Sequence, residues 1–139
     1  MFSSSHADYA TDFISHLKLT GDFHGQPFDI MPWHNRILRD VYGTLDETGR
    51  RQYRYIYIET AKKNAKSLLI AGIGNLHLFN KDEPRDQIVL CAGSHEQARI
   101  DIYEPLGEMI EQEPDLIRRV RPRDSLREIE NKQTGTLLK

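Results

Sequence analysis

Apolar residues along this chain recur first at helical spacing, then in short solid runs. Tyr9, Ala10, Phe13, Ile14 and Leu17 fall on one helical face behind Ser5-His6-Ala7-Asp8, which reads as a capping box. Gly21 is placed to end that helix. A loop over 21–31 follows, carrying Gly25 and Pro27. Pro32 then suits a first helical position, and Trp33, Ile37, Leu38 and Val41 form the next stripe, closed by Gly43. Residues 46–51 form a polar turn. The run Tyr53-Arg54-Tyr55-Ile56-Tyr57-Ile58-Glu59 is β-branched and aromatic with little strict alternation, which predicts a central strand covered on both faces. Residues 68–79 are apolar nearly all round and predict a buried helix.

After a turn at 82–86, residues 87–92 predict a second buried strand. Ser94 is placed to cap a helix carrying Ala98, Ile102, Leu106 and Met109. Pro105 removes an N–H from that helix and predicts a kink or split near Asp101. Beyond Pro114 the pattern weakens. Residues 126–132 and 136–138, separated by Gln133-Thr134-Gly135, predict a hairpin. The order strand, turn, helix, strand, helix predicts an α/β fold with a parallel sheet. No apolar strand ending in Asp or Glu follows the second strand, so the sheet reads as incomplete.

Composition narrows the function classes. The chain has 139 residues, enough for one domain with a core, and a net charge of −2, so any polyanion contact must come from a local patch. One cysteine, Cys91, excludes a disulfide framework and fits a reducing compartment. Its place in an apolar run predicts a buried, inert thiol. The first residues have neither the basic flank nor the apolar core of a signal peptide. The longest apolar stretch, 68–79, is too short to span a membrane. His6, His16, His24, His77 and His95 show no metal-binding spacing.

The sharpest chemical signal is Lys62-Lys63-Asn64-Ala65-Lys66-Ser67, between the predicted strand at 53–59 and the predicted helix at 68–79. A strand that turns sharply and opens a helix with Lys-Ser is the layout of a phosphate-binding P-loop. In that layout backbone N–H groups face a phosphate, the lysine adds charge near the outer phosphates, and the serine hydroxyl holds a magnesium ion. Ala65 stands where such loops carry glycine. If the position needs a positive φ, alanine costs about 1–2 kcal/mol there.

From about Asp12 to Lys139 the chain resembles the N-terminal part of the large terminase subunit of tailed bacteriophages and prophages. The resemblance rests on Leu19-Thr20-Gly21-Asp22-Phe23-His24-Gly25-Gln26-Pro27-Phe28, on Pro32-Trp33, and on Tyr57-Ile58-Glu59 leading into Lys63-Asn64-Ala65-Lys66-Ser67. Glu96-Gln97-Ala98 and Lys132-Gln133-Thr134-Gly135 continue it. It implies a P-loop NTPase-type parallel sheet, here incomplete, with N-terminal helices. Residues 1–52 would be the helical, adenine-side segment and 53–139 the P-loop core. It implies ATP and Mg2+ as cofactors, with Lys62, Lys63, Asn64, Ala65, Lys66 and Ser67 on the phosphates. Lys66 and Lys62 take the catalytic roles, Lys62 reaching toward the γ-phosphate, and Ser67 binds the metal.

The adenine contact would fall to Pro32, Trp33 and His34, where the family usually has Pro-Trp-Gln. The implied activity is that of an ATP-driven motor packaging double-stranded DNA into capsids in the host bacterial cytoplasm. The implied partners are a terminase small subunit, a portal and a homo-oligomeric ring, with no membrane. The chain covers about the first half of such an ATPase domain. The acidic metal-binding motif and the nuclease domain are absent from it. The expectation is a truncated product or remnant, whose alternative role is a non-catalytic piece that binds nucleotide weakly or not at all.

Plainer roles compete for several of these residues. Trp33 also suits a core anchor, His34 a helix-surface histidine, Lys62 a solvated lysine, and Glu59 a structural carboxylate. Arg36 and Arg39 read best as solvent-exposed. Arg118, Arg119, Arg121, Arg123 and Arg127 form a basic cluster suited to DNA, diluted by Asp115, Asp124, Glu128 and Glu130.

Overall fold

The structure, a computed structural model, describes residues 1–61, 66–123 and 126–139. Helix α1 spans Ser4–Ser15 and buries Ala7, Ala10, Thr11 and Ile14, a single face at helical spacing. Its cap is Ser3, whose hydroxyl accepts the His6 N–H at 3.4 Å. The expected cap at Ser5 is displaced because Ser3 is the residue with extended backbone. The helix stops at Ser15, and Gly21 opens a 3₁₀ turn over Gly21–Phe23 instead of ending α1.

Helix α2 spans Pro32–Gly43, with Pro32 in the first turn and Gly43 at the end, as the sequence predicts. It packs on α1, and Arg39 donates to Asp8 of α1 at 2.7 Å. Leu38 and Tyr42 face the core.

Helix α3 spans Lys66–Leu78 and is the centre of the molecule. Leu69, Ala71, Gly72, Gly74, Asn75, Leu76 and Leu78 are buried, so the helix is covered on several sides at once. Gly74 permits the closest approach, because a Cβ there would meet Leu106 Cδ1 at 2.7 Å. Asn75 is fully buried, and its amide donates to the Leu106 carbonyl at 3.3 Å.

Among the described residues four short strands form one sheet in the order β1-β4-β3-β2. They are β1 (Gln87–Ile88), β2 (Val120–Arg123), β3 (Glu128–Asn131) and β4 (Leu137–Leu138). The expected hairpin is present as β3 antiparallel to β4, turning through Gly135 at φ +76°. Strand β1 runs parallel to β4, and β2 antiparallel to β3. The α/β class therefore holds, while the sheet is mixed, not purely parallel.

Between β1 and β2 lie α4 (His95–Ala98), a π-helical turn (Arg99–Tyr103), α5 (Glu104–Glu111) and α6 (Pro114–Ile117). The irregular turn falls where Pro105 was expected to disturb the helix, since a ring at 105 clashes with the carbonyl of residue 101. Ser94 caps α4, accepting the Gln97 N–H at 3.1 Å. α5 packs on α3 through Leu106, Met109 and Ile110, all buried.

Two expectations are corrected. Residues 53–59 form no ladder with any described strand. Tyr55 is 95% and Tyr57 85% exposed, while Ile56 and Ile58 line a cavity of about 1520 Å³ against α1, α2 and α3. The run places Ile56 and Ile58 on the cavity side and Tyr55 and Tyr57 on the other, the two-residue alternation of a strand, without a ladder to any described strand. The second strand is also shorter than predicted. β1 ends at Ile88, the chain then leaves the sheet, and Cys91 is exposed rather than buried.

Candidate functional site

The phosphate-loop residues divide between described and undescribed positions. Lys62, Lys63, Asn64 and Ala65 lie outside the described residues. Lys66 and Ser67 are the first two residues of α3, and both are exposed, whereas the body of the helix is buried. Helix N-termini carry unpaired N–H donors and the positive end of the macrodipole. An exposed lysine and hydroxyl at such an end suit a phosphate and a magnesium ion in charge, donor type and access.

Pro32, Trp33 and His34 form the first turn of α2. His34 is completely buried, not on the helix surface. Its Nδ1 accepts the Met31 N–H at 3.2 Å, so a side chain at the third helical position closes back on the residue before the helix. The imidazole lies 4.0 Å from the Trp33 ring and meets Phe28 edge-on at 6.1 Å. Trp33 is half-buried and packs against the core, in keeping with its anchor reading, while Pro32 is exposed.

The loop before α2 is tied down from the other side of the molecule. The Gln112 side chain accepts the Gly25 N–H at 2.8 Å and donates to the Leu19 carbonyl at 3.0 Å. His24 meets Glu108 at 2.5 Å. The 19–28 segment is thus braced by α5 and by Gln112, the residue that follows it. Within the loop, the Leu19 N–H donates to Gln26 and the Phe28 N–H to Leu17.

The basic cluster is interleaved with acid. Arg121 lies opposite Glu130 across the β2–β3 ladder, and Arg123 opposite Glu128. Arg118 pairs with Asp115. Glu59 is exposed.

A polar group at the other end of α3 escaped the sequence reading. His77, Glu83 and Asp86 place ligand-type atoms within 4.8 Å of one another. The Tyr42 hydroxyl and His77 Nε2 share a hydrogen bond of 2.8 Å. Arg51 reaches Glu83 at 3.1 Å. Burial holds the His77 imidazole below its ordinary pKa, helped by Arg51 and opposed by Glu83 and Asp86. Burial likewise pushes the Tyr42 phenol up. The spacing 77, 83, 86 matches no familiar motif, because the turn at 79–86 folds two carboxylates back on the helix end.

Comparison with known proteins gives the class and then the family. The model for the ATPase domain of the terminase large subunit matches residues 32–138. The crystal structure of the HK97 bacteriophage large terminase superposes on the whole chain with a TM-score of 0.78 at 25% identity. The chain covers 27% of that terminase chain. No curated protein matches it. An α/β domain with these helices and this sheet is a terminase-type ATPase fold, and the chain belongs to the terminase large subunit ATPase-domain family.

Proposed function

We propose that this chain is the nucleotide-binding part of an ATP-driven motor that packages phage DNA. The loop at 62–67 binds the phosphates of ATP. Lys66 places its ammonium on the outer phosphates, Lys62 reaches toward the γ-phosphate, and the Ser67 hydroxyl is a ligand for Mg2+. That ion, when bound, neutralises charge on the phosphate oxygens. The backbone N–H groups at the start of α3 add fixed positive potential that needs no reorganisation during phosphoryl transfer. Pro32 and Trp33 form the adenine side. The buried His34 belongs to it by fixing the first turn of α2 on which they sit.

The observation that carries this reading is the start of α3. Lys66 and Ser67 are exposed at the N-terminus of a 13-residue helix whose remaining turns are packed into the core. The family match covers the same segment. DNA, a small terminase subunit, a portal and a ring of like subunits in the host bacterial cytoplasm are the proposed context. Among the described residues no helix is long and apolar enough to cross a membrane.

A second reading has its own support. Ala65 replaces the glycine of the loop, and residues 53–59, which should present that loop, pair with no described strand. On that reading the chain binds nucleotide weakly or not at all. Calorimetry with ATP and Mg2+ separates the two. Each charge-assisted contact contributes about 1.5–3 kcal/mol, so Lys66→Ala should weaken binding roughly ten- to a hundred-fold. Equal affinity in variant and parent would reject the role of Lys66. No heat from the parent would favour the weak-binding reading.

A further inference from the structure

We propose that His77, Glu83 and Asp86 form a binding site for a divalent transition-metal ion of the zinc and manganese class, at the opposite end of α3 from the phosphate loop. His77 lies eleven positions beyond Lys66, which is about 16 Å along a helix. The two sites are therefore distinct, and this one does not rest on the nucleotide reading.

The donor set is one imidazole nitrogen and two carboxylates, a mixture that suits borderline divalent ions. His77 Nδ1 lies 3.8 Å from Glu83 Oε2. Two donors on one tetrahedral ion, with bonds of about 2.0–2.2 Å, sit roughly 3.3–3.6 Å apart. The three ligand-type atoms together lie within 4.8 Å of one another, so the ion would draw them inward. Hydrogen bonds tie the turn that carries the carboxylates to the hairpin. The Thr136 hydroxyl donates to the Glu83 carbonyl and accepts the Asp86 N–H, each at 3.4 Å, and the Arg85 N–H donates to the Thr134 carbonyl at 2.9 Å. The Asn131 amide donates to the Leu78 carbonyl at 2.9 Å, one residue beyond His77.

The surroundings favour metal ligation in two further ways. Tyr42 engages His77 at Nε2, and when the phenol oxygen accepts that bond the Nδ1 lone pair is directed at the carboxylates. Glu83 and Asp86 carry two negative charges. Arg51 answers one of them, leaving one for a bound cation. Arg51 is thus the resident competitor for Glu83.

The test is titration of the intact chain with Zn2+, and with Co2+ followed by its visible absorption, in the absence of nucleotide. The expected result is one equivalent bound, with a rise in melting temperature. Glu83→Gln should weaken binding at least ten-fold, and Asp86→Asn gives the same prediction through a second ligand if Glu83→Gln fails to fold. Arg51→Met should tighten binding, because it removes the competing guanidinium; a purely structural role for Arg51 would weaken it. Absence of binding by the parent overturns the proposal. So does binding that both carboxylate variants leave unchanged.

Discussion

Asn131 joins three parts of the fold through one side chain. It is 2% exposed, its amide donates to the last carbonyl of α3, and its carbonyl oxygen accepts the Gln133 N–H at 2.9 Å and the Thr134 N–H at 3.4 Å. Removing it leaves a buried helix-end carbonyl and two turn N–H groups to find other partners. Asn131→Ala should lower stability by about 1–3 kcal/mol, read as the midpoint of urea unfolding. An unchanged midpoint would show that the carbonyl is satisfied elsewhere. Nothing in the sequence singled Asn131 out, because its buried partner at the end of α3, the Leu78 carbonyl, is more than fifty positions away. His34 was misread for a different reason: as a polar residue at the start of an amphipathic helix it read as surface, yet its ring packs against its chain neighbours Trp33 and Phe28. Polar side chains that the fold buries, against the usual preference of their type, are the least legible part of this molecule.

Elements were legible wherever the pattern was local. The uninterrupted apolarity of 68–79 marked α3, Pro32 and Gly43 marked the ends of α2, Pro105 marked the irregular turn before α5, and Gly135 marked the hairpin. The failure at 53–59 has a physical cause. Residue preference describes a chain that fits a sheet, but a strand exists only beside another strand. Here Ile56 and Ile58 turn toward the cavity while Tyr55 and Tyr57 face solvent. This arrangement makes a contrast that unfolding experiments can read. Tyr57→Ser should change stability by no more than about 0.5 kcal/mol, whereas Leu69→Ala, at a fully buried position of α3, should cost about 2–5 kcal/mol. A large loss on Tyr57→Ser would mean that the tyrosine is packed in solution.

At the scale of the whole molecule, α3 organises the fold. α1 lies on one side and α5 on another, the hairpin closes its C-terminal end, and its first two residues, Lys66 and Ser67, are exposed. The order of landmarks along the sequence was enough to reach the terminase family, since several separated motifs in one order are hard to produce by chance. The geometry of the nucleotide site was not legible to the same degree. Two short segments, 32–34 and 62–67, carry the proposed contacts, and their relation in space depends on how α1 separates their helices. The cluster at His77 was not visible at all, because its ligands converge only after the turn at 79–86 has folded.

The central claim is that triphosphate binds at the start of α3. Its most direct test is the backbone amide spectrum of isotopically labelled chain titrated with ATP and Mg2+. The account predicts the largest shifts at residues 66–69, smaller ones at Trp33 and His34, and none across β3 and β4. Saturating ATP that leaves 66–69 unmoved, or that shifts only the region around Arg51 and His77, would contradict it.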